Sequence, residues 1–365
     1  MAVLARSGRG WLSLLGATIL FLGPAAACAA PPAEPSVRVL LIETDGAVRV
    51  EYGAGKVTLK SAAQGILADG KAVGRVWWLP RSNAFRVDGL RVRGRLEARW
   101  VTGGIDVINH VGLEDYVAGT LGREVYPEWH SEMLKAQAVV TRTYALHQMA
   151  RNSGTPFDVG AGTDSQVYGG FDAETLSVRS AASATRGEYL AYRREPILAV
   201  FHSASGGRTA AAEEVWGQPI PYLVSVEVEN EEDSPDTYWR ASVSRTTLGR
   251  ALVPVGIQVG SVREVSVVER SASGRALRVR VRGTKGTRAM EARALRTALG
   301  ASVIRSTLFE IRPSEDGFVF VGSGHGHGVG MSQWGAQAMA ESGAGYREIL
   351  ETFYPGTTVM EGAAR

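Results

Sequence analysis

Cysteine is almost missing from this chain: Cys28 stands alone among 365 residues. That excludes an intramolecular disulfide and any metal site built on a cysteine cluster. Long apolar runs are confined to the first 30 residues, and no later stretch is long enough for a membrane-spanning helix. The formal charge is only +3, from 40 Lys and Arg against 37 Asp and Glu. Arg6 and Arg9 are the only charged residues in the first 30, and without them 38 basic residues face 37 acidic ones. No dense basic patch interleaved with aromatics follows, so a nucleic-acid partner is not expected. The 44 glycines show no three-residue period and no heptads run through the chain, which excludes collagen and coiled coil. What is present is an ordinary globular balance, 45% hydrophobic and 21% charged. The length allows roughly two domains.

Residues 1–30 read as a signal peptide. Arg6 and Arg9 make a positive start, Trp11 to Gly23 an apolar stretch, and Ala25-Ala26-Ala27 a small-residue cleavage motif. The protein is therefore expected to be exported, to a periplasm or cell envelope. A membrane tie would come only from an uncleaved anchor or from a lipid on Cys28, and Ala25 stands where a lipobox usually has Leu.

Residues 31–36 are a stiff Pro-rich linker. Over 37–104 the pattern alternates and is β-branched, as in Val37 to Ile42, Val48 to Tyr52, Val76 to Leu79 and Phe85 to Val87. It predicts a small antiparallel β-unit. Pro127 to Gly154 reads as a helix, with Trp129, Met133, Ala136, Val140 and Tyr144 at helical spacing and Asn152 and Gly154 as the stop. Ile197 to Phe201 reads as a short strand. Residues 236–315 look like an inserted subdomain: strands Val262 to Val268 and Ala276 to Val281 around a Ser271–Gly274 turn, then a helix Ala292 to Leu299 ending at Gly300. Arg275, Arg278, Arg280 and Arg282 there are either a solvated face or a contact for an anionic polymer. Near the end, Gly322, Gly324, Gly326, Gly328 and Gly330 alternate, which in an extended chain strips one face of side chains. Another backbone or a ligand then has room to approach. Ser332 reads as the cap of a helix through Ala340. The fold class expected is α+β.

Several residues bear chemistry. Glu124 sits before Pro127, at the mouth of the predicted helix. It is either an N-terminal Glu favoured by the helix dipole or an acid with a raised pKa, hemmed by Tyr126 and Trp129. Gln166 and Tyr168, flanked by glycines, suit hydrogen bonding to a polar ligand or a plain turn. His202 and Ser203 end an apolar strand without a Gly-x-Ser-x-Gly elbow, which argues against a serine hydrolase. His325 and His327 offer two metal-ligating nitrogens with no third ligand in view.

Four stretches, taken together, resemble the SpoIID/LytB family of bacterial cell-wall proteins: Leu113 to Gly119 running into Arg123 to Pro127; Leu134 to Ala145; Phe201 to Thr209 with Glu214-Val215-Trp216-Gly217; and Gly324 to Ala336. The resemblance covers roughly residues 105–360 and leaves 37–100 uncovered. It implies a SpoIID-type catalytic domain over 105–360, interrupted by 236–315. The implied activity is that of a peptidoglycan lytic transglycosylase acting on glycan strands that lack stem peptides and leaving a 1,6-anhydro-MurNAc end, with Glu124 as its acid/base. Lys135, Gln137, Arg142 and Tyr144 on the helix would bind the sugar, together with Gln166, Tyr168, His202, Ser203, His325 and His327 and with Ser332 and Gln333 of the last motif. The amidase-enhancer branch implies an alternative, a glycan-binding modulator of a cell-wall amidase. A hydrolase using Glu114 or Asp115 as second carboxylate is a third reading. Some family members hold zinc through cysteines just before the Gln-Val-Tyr segment; here Asp164 and Ser165 stand there, so no metal and no cofactor are expected.

Overall fold

The computed structural model describes residues 34–53 and 55–362. The expected signal, Cys28 and the first half of the 31–36 linker lie outside these residues. The architecture is mixed α and β, with several sheets and, among the described residues, eight α-helices.

The β-branched N-terminal stretch forms two sheets. Ser36–Thr44 pairs antiparallel with Gly104–Gly112, which pairs with Arg95–Val101, which in turn pairs with Val76–Trp78. Val159–Gly160 adds to the other edge in parallel. A six-stranded antiparallel sheet runs Lys71–Gly74, Gly65–Ala68, Gly55–Ala62, Ala47–Tyr52, Phe85–Val87, Leu90–Val92. Alternation puts Val48, Val50, Val57 and Leu59 inside and leaves Arg49 and Glu51 out. The buried side chains of these strands are one cluster with those of the helices that follow, from Val37 to Tyr354.

Helix α1 spans Leu113–Glu124 and α2 spans Ser131–Arg151. The spacing signal for α2 is real, but its start lies four residues later than Pro127, where the His130 ring caps Glu132 N–H. The helix is buried on nearly all sides, packed by α1, by α3 (Leu176–Ala184), by the strand Glu188–Tyr192 and by the C-terminal helices. Helix α1 has Leu113, Tyr116, Val117 and Leu121 at helical spacing on its buried face, although Gly119 and Gly122 lower its helix propensity. Those glycines are needed. A Cβ on Gly122 would sit 1.9 Å from the Ala173 carbonyl oxygen, and one on Gly119 would meet the Tyr168 ring at 2.9 Å. They let the 166–173 segment lie against α1. Ile197 to Val200 is not a strand: the Ala199 and Val200 amides bond two residues back, the Leu198 amide donates to the Tyr222 hydroxyl, and only Phe201–His202 pairs, in parallel with Met331–Ser332.

Helix α4 spans Ala212–Trp216. Beyond it lies a second buried cluster, running from Trp239 to Phe320. It is built from the sheet Trp239–Ser244, Gly317–Gly322, Phe309–Pro313, the meander Val262–Arg270, Ala276–Gly283, Gly286–Glu291, and helices α5 (Arg245–Leu252) and α6 (Ala292–Leu299). Gly300, with φ 90°, ends α6. Arg278, Arg280 and Arg282 are exposed, and Glu264 pairs with Arg282 at 2.9 Å. Arg275 departs from that solvated row and is buried. Helices α7 (Gln333–Glu341) and α8 (Tyr346–Phe353) close the chain against α2.

Candidate active site

Glu124 is the last residue of α1, not the first of the next helix. The dipole reading is thereby reversed: a helix C-terminus disfavours a carboxylate. The close packing of 166–173 on α1 brings Val167 N–H to Glu124 Oε1 at 2.5 Å. Burial raises the Glu124 pKa above the ordinary carboxyl value, and the Val167 hydrogen bond opposes that only in part.

The carboxyl opens into a groove of about 640 Å³ lined by Ser203, His325, Gln333, Asp236, Arg305 and an aromatic wall. The wall is Tyr126, Trp129 and Trp334, with Trp129 and Trp334 edge to face at 4.9 Å and Tyr126 5.2 Å from Trp129. Opposite it, Asp236 accepts from His325 Nδ1 at 2.9 Å and pairs with Arg305. Gln333 holds the floor: its amide donates to the Glu124 carbonyl at 2.9 Å and to Gln137 Oε1 at 3.3 Å. Ser332 caps α7 by accepting from Gly335 N–H, and its hydroxyl reaches buried Glu231. Trp334 N–H donates to the Ser203 carbonyl at 3.0 Å, which fixes the wall to the Phe201–His202 strand end.

Of the thirteen residues the sequence pointed to, the groove is lined by Glu124, Ser203, His325 and Gln333. The others are placed elsewhere. Gln137 is wholly buried behind Gln333. Gln166 accepts from Tyr116 OH, and Tyr168 donates to Asn109 Oδ1 while stacking on Tyr116; both are core residues that seat the 166–173 segment. Tyr144 is buried in the core. Lys135 faces away, paired with Glu132 at 2.6 Å. Arg142 is fully buried in a fork with Glu114. Ser332 is buried and structural. His202 and His327 face one another on the far side of the glycine loop, ring centroids 5.6 Å apart. Burial holds the His202 pKa well below normal and pushes that of His327 down to about 4, with Arg275 adding to both.

The alternating glycines are not an extended strand. Gly324, Gly326, Gly328 and Gly330 all have positive φ, between 70° and 111°. The approach they permit is, in the first place, that of the protein's own chain. A Cβ on Gly326 would meet His202 Cβ at 2.7 Å, and one on Gly330 would meet the Val200 carbonyl oxygen at 2.1 Å. Gly330→Ala therefore combines left-handed strain of about 1–3 kcal/mol with a backbone clash, and thermal unfolding is expected to show a clear loss of stability.

Asp236, Ser302, Arg305 and Trp334 join the groove without having been singled out. Trp334 carried a signal, inside the Gln333-Trp334-Gly335 stretch. The other three come from a segment remote in sequence, and no local pattern marks them. Glu114 and Asp115, considered as second carboxylates, lie in the first turn of α1. A rise of ~1.5 Å per residue puts them about 14 Å from Glu124 along the axis. That exceeds the roughly 5–9.5 Å between paired carboxylates of glycosidases. Glu114 is engaged by Arg142 and Asp115 by Arg93. Among the described residues, no group of three or more His, Cys, Asp or Glu is placed to hold a metal.

Residues 101–192 match the family model for Stage II sporulation protein (SpoIID), and residues 222–330 match a domain of unknown function (DUF8618). An uncharacterized protein of Brachyspira hyodysenteriae is 33% identical over 282 residues, covering 76% of this chain and 75% of that one. Stage II sporulation protein D of Bacillus amyloliquefaciens is 32% identical over 269 residues, 70% of this chain and 76% of that one. An amidase enhancer of Bacillus subtilis is 30% identical over 289 residues, 66% of this chain but 40% of the enhancer.

Proposed function

Because the chain belongs to the SpoIID/LytB family, we propose that it is an exported lytic transglycosylase of peptidoglycan glycan strands. The observation that carries the reading is Glu124, a carboxyl with a raised pKa beside an aromatic wall in an open groove. In this mechanism protonated Glu124 donates to the glycosidic oxygen as the MurNAc C1–O bond breaks. The carboxylate then takes the proton from the same sugar's 6-hydroxyl, whose oxygen bonds to C1. The product is a 1,6-anhydro-MurNAc end, no water is consumed, and Glu124 regains its proton. Intramolecular attack supplies the nucleophile at high effective concentration, so one carboxyl suffices where a glycoside hydrolase uses two.

Trp334, Trp129 and Tyr126 would take the apolar faces of the sugars, and Ser203 and His325 their hydroxyl or amide groups. Asp236, engaged by His325 and Arg305, serves as an orienting partner. We read 236–315 as an insertion in a catalytic domain spanning 105–360; the separate buried cluster from Trp239 to Phe320 supports that. Among the described residues no helix is long and apolar enough to cross a membrane.

The amidase-enhancer relative favours a second reading, a glycan-binding modulator of a cell-wall amidase. One assay separates them. Purified protein is incubated with stem-peptide-free glycan strands and the products are weighed by mass spectrometry. Fragments lighter than hydrolytic ones by one water are the expected result. Reducing ends would identify a hydrolase, and intact strands would leave the modulator.

A further inference from the structure

The Glu124 groove leaves Glu214-Val215-Trp216-Gly217 unused. Trp216 ends α4 and stays partly exposed, with its ring 5.8 Å from that of His327. Together they line a second cleft of about 690 Å³, which shares no lining residue with the Glu124 groove. Its volume falls within the ~300–1,000 Å³ range of ligand sites. The two clefts flank one loop: His325 faces the first, and its neighbours Gly326 and His327 line the second.

The chemistry of the second cleft is specific. Arg275 lies in its wall, almost fully buried. Its terminal nitrogens donate to the Arg208 and Ser205 carbonyls at 2.9 and 2.7 Å, and its Nε has no partner among the described residues. At the mouth, Arg278, Glu213 and Glu269 make no ion pair among the described residues, so their polar atoms are available to a ligand. Four arginines and four glutamates line the cleft, which leaves no net field for an anion. An indole with balanced donors and acceptors suits a neutral ligand that has an apolar face and many hydroxyls.

We infer that the cleft bounded by Trp216, His327 and Arg278 is a second saccharide-binding site. It takes an uncharged N-acetylated sugar of the same strand that lies over Glu124. The ligand class rests on the glycan reading above. The arrangement is bivalent: a strand crossing the loop at Gly326 engages both clefts, and the second contact is intramolecular.

The test uses the full chain carrying Glu124→Gln, which holds substrate without turnover. Its affinity for β-1,4-linked N-acetylglucosamine oligomers of increasing length is measured by calorimetry. Affinity is expected to climb with length until both clefts are spanned. Adding Trp216→Ala or, separately, the exposed-residue change Arg278→Ala is expected to lower long-oligomer affinity about tenfold or more and to flatten the length dependence. Wild-type affinity for long oligomers in both folded variants would overturn the site. So would a free stem peptide that binds there when the oligomers do not. Cleavage by the wild type is scored separately. Intact strands with Trp216-dependent binding would sink the transglycosylase and leave this site standing, and cleavage without Trp216-dependent binding would do the reverse.

Discussion

Glu124→Gln is expected to lower the rate of glycan cleavage by about 10²–10⁴-fold, the range for loss of a positioned general acid and base, with the fold intact. Glutamine keeps the shape and can still accept from Val167 N–H, so the groove should keep its form. It cannot donate a proton to the leaving oxygen or remove one from the 6-hydroxyl. The pH profile should carry the same signature. Burial raises the Glu124 pKa, so the acid form persists above the ordinary carboxyl range and kcat/KM should fall on an alkaline limb set by that raised value. Stability supplies a separate check. Glu124 binds its proton more tightly folded than unfolded, so its contribution is fullest where both states are protonated. It is lost as pH rises from the ordinary carboxyl value through the raised one. Above that window the half-buried carboxylate at a helix C-terminus is a net cost. Glu124→Gln should therefore melt above the wild type at neutral pH and lose that advantage below about pH 4. A variant that is both inactive and more stable marks a site built against its own folding.

Much of the fold was legible in residue pattern because the relevant forces are local. Alternating Val at 37–59 marked strands, and Ser332 and Gly300 marked helix ends. Burial against several neighbours at once is not local, and there the reading failed. Arg142 and Lys135 share a helix, yet one is sealed in the core and the other pairs at the surface, because helices, strand Glu188–Tyr192 and chain end pack on α2 from different sides. His325 and His327 are two residues apart, and positive φ at the glycines between and around them sends them to different clefts. Glu124 was expected at the start of the helix after Pro127 and stands at the end of the helix before it. The helix that carries it depends on glycines whose use, close approach to the Ala173 carbonyl, is visible only in three dimensions. Asp236 and Arg305 reach the groove from remote sequence, and no spacing rule joins them to Glu124.

Arg142 carries the second large effect, and it concerns stability and not sugar. Its guanidinium has no exposed surface. It forks onto Glu114 with Nε–Oε1 at 2.8 Å and a terminal nitrogen to Oε2 at 2.6 Å. It also donates to the Glu188 carbonyl at 3.0 Å and the Ala182 carbonyl at 3.2 Å. One side chain thus ties the first turn of α1 to the last turn of α3 and to the strand after it. Ala182 is in that last turn, where helix carbonyls need outside donors. Arg142→Ala would strand the Glu114 carboxylate, two carbonyls and a cavity, and breaking a buried pair in this way costs about 3–5 kcal/mol. Lysine restores the charge but not the planar fork, so Arg142→Lys should fall between. Denaturant unfolding measures both. The double change Arg142→Met with Glu114→Gln removes the uncompensated charge and should recover a large part of the loss, a coupling that a double-mutant cycle reads directly. If Arg142 instead held substrate, its removal would raise KM in a protein of wild-type stability. The structure leads to the opposite expectation: molecules of Arg142→Lys that remain folded should cleave with wild-type KM.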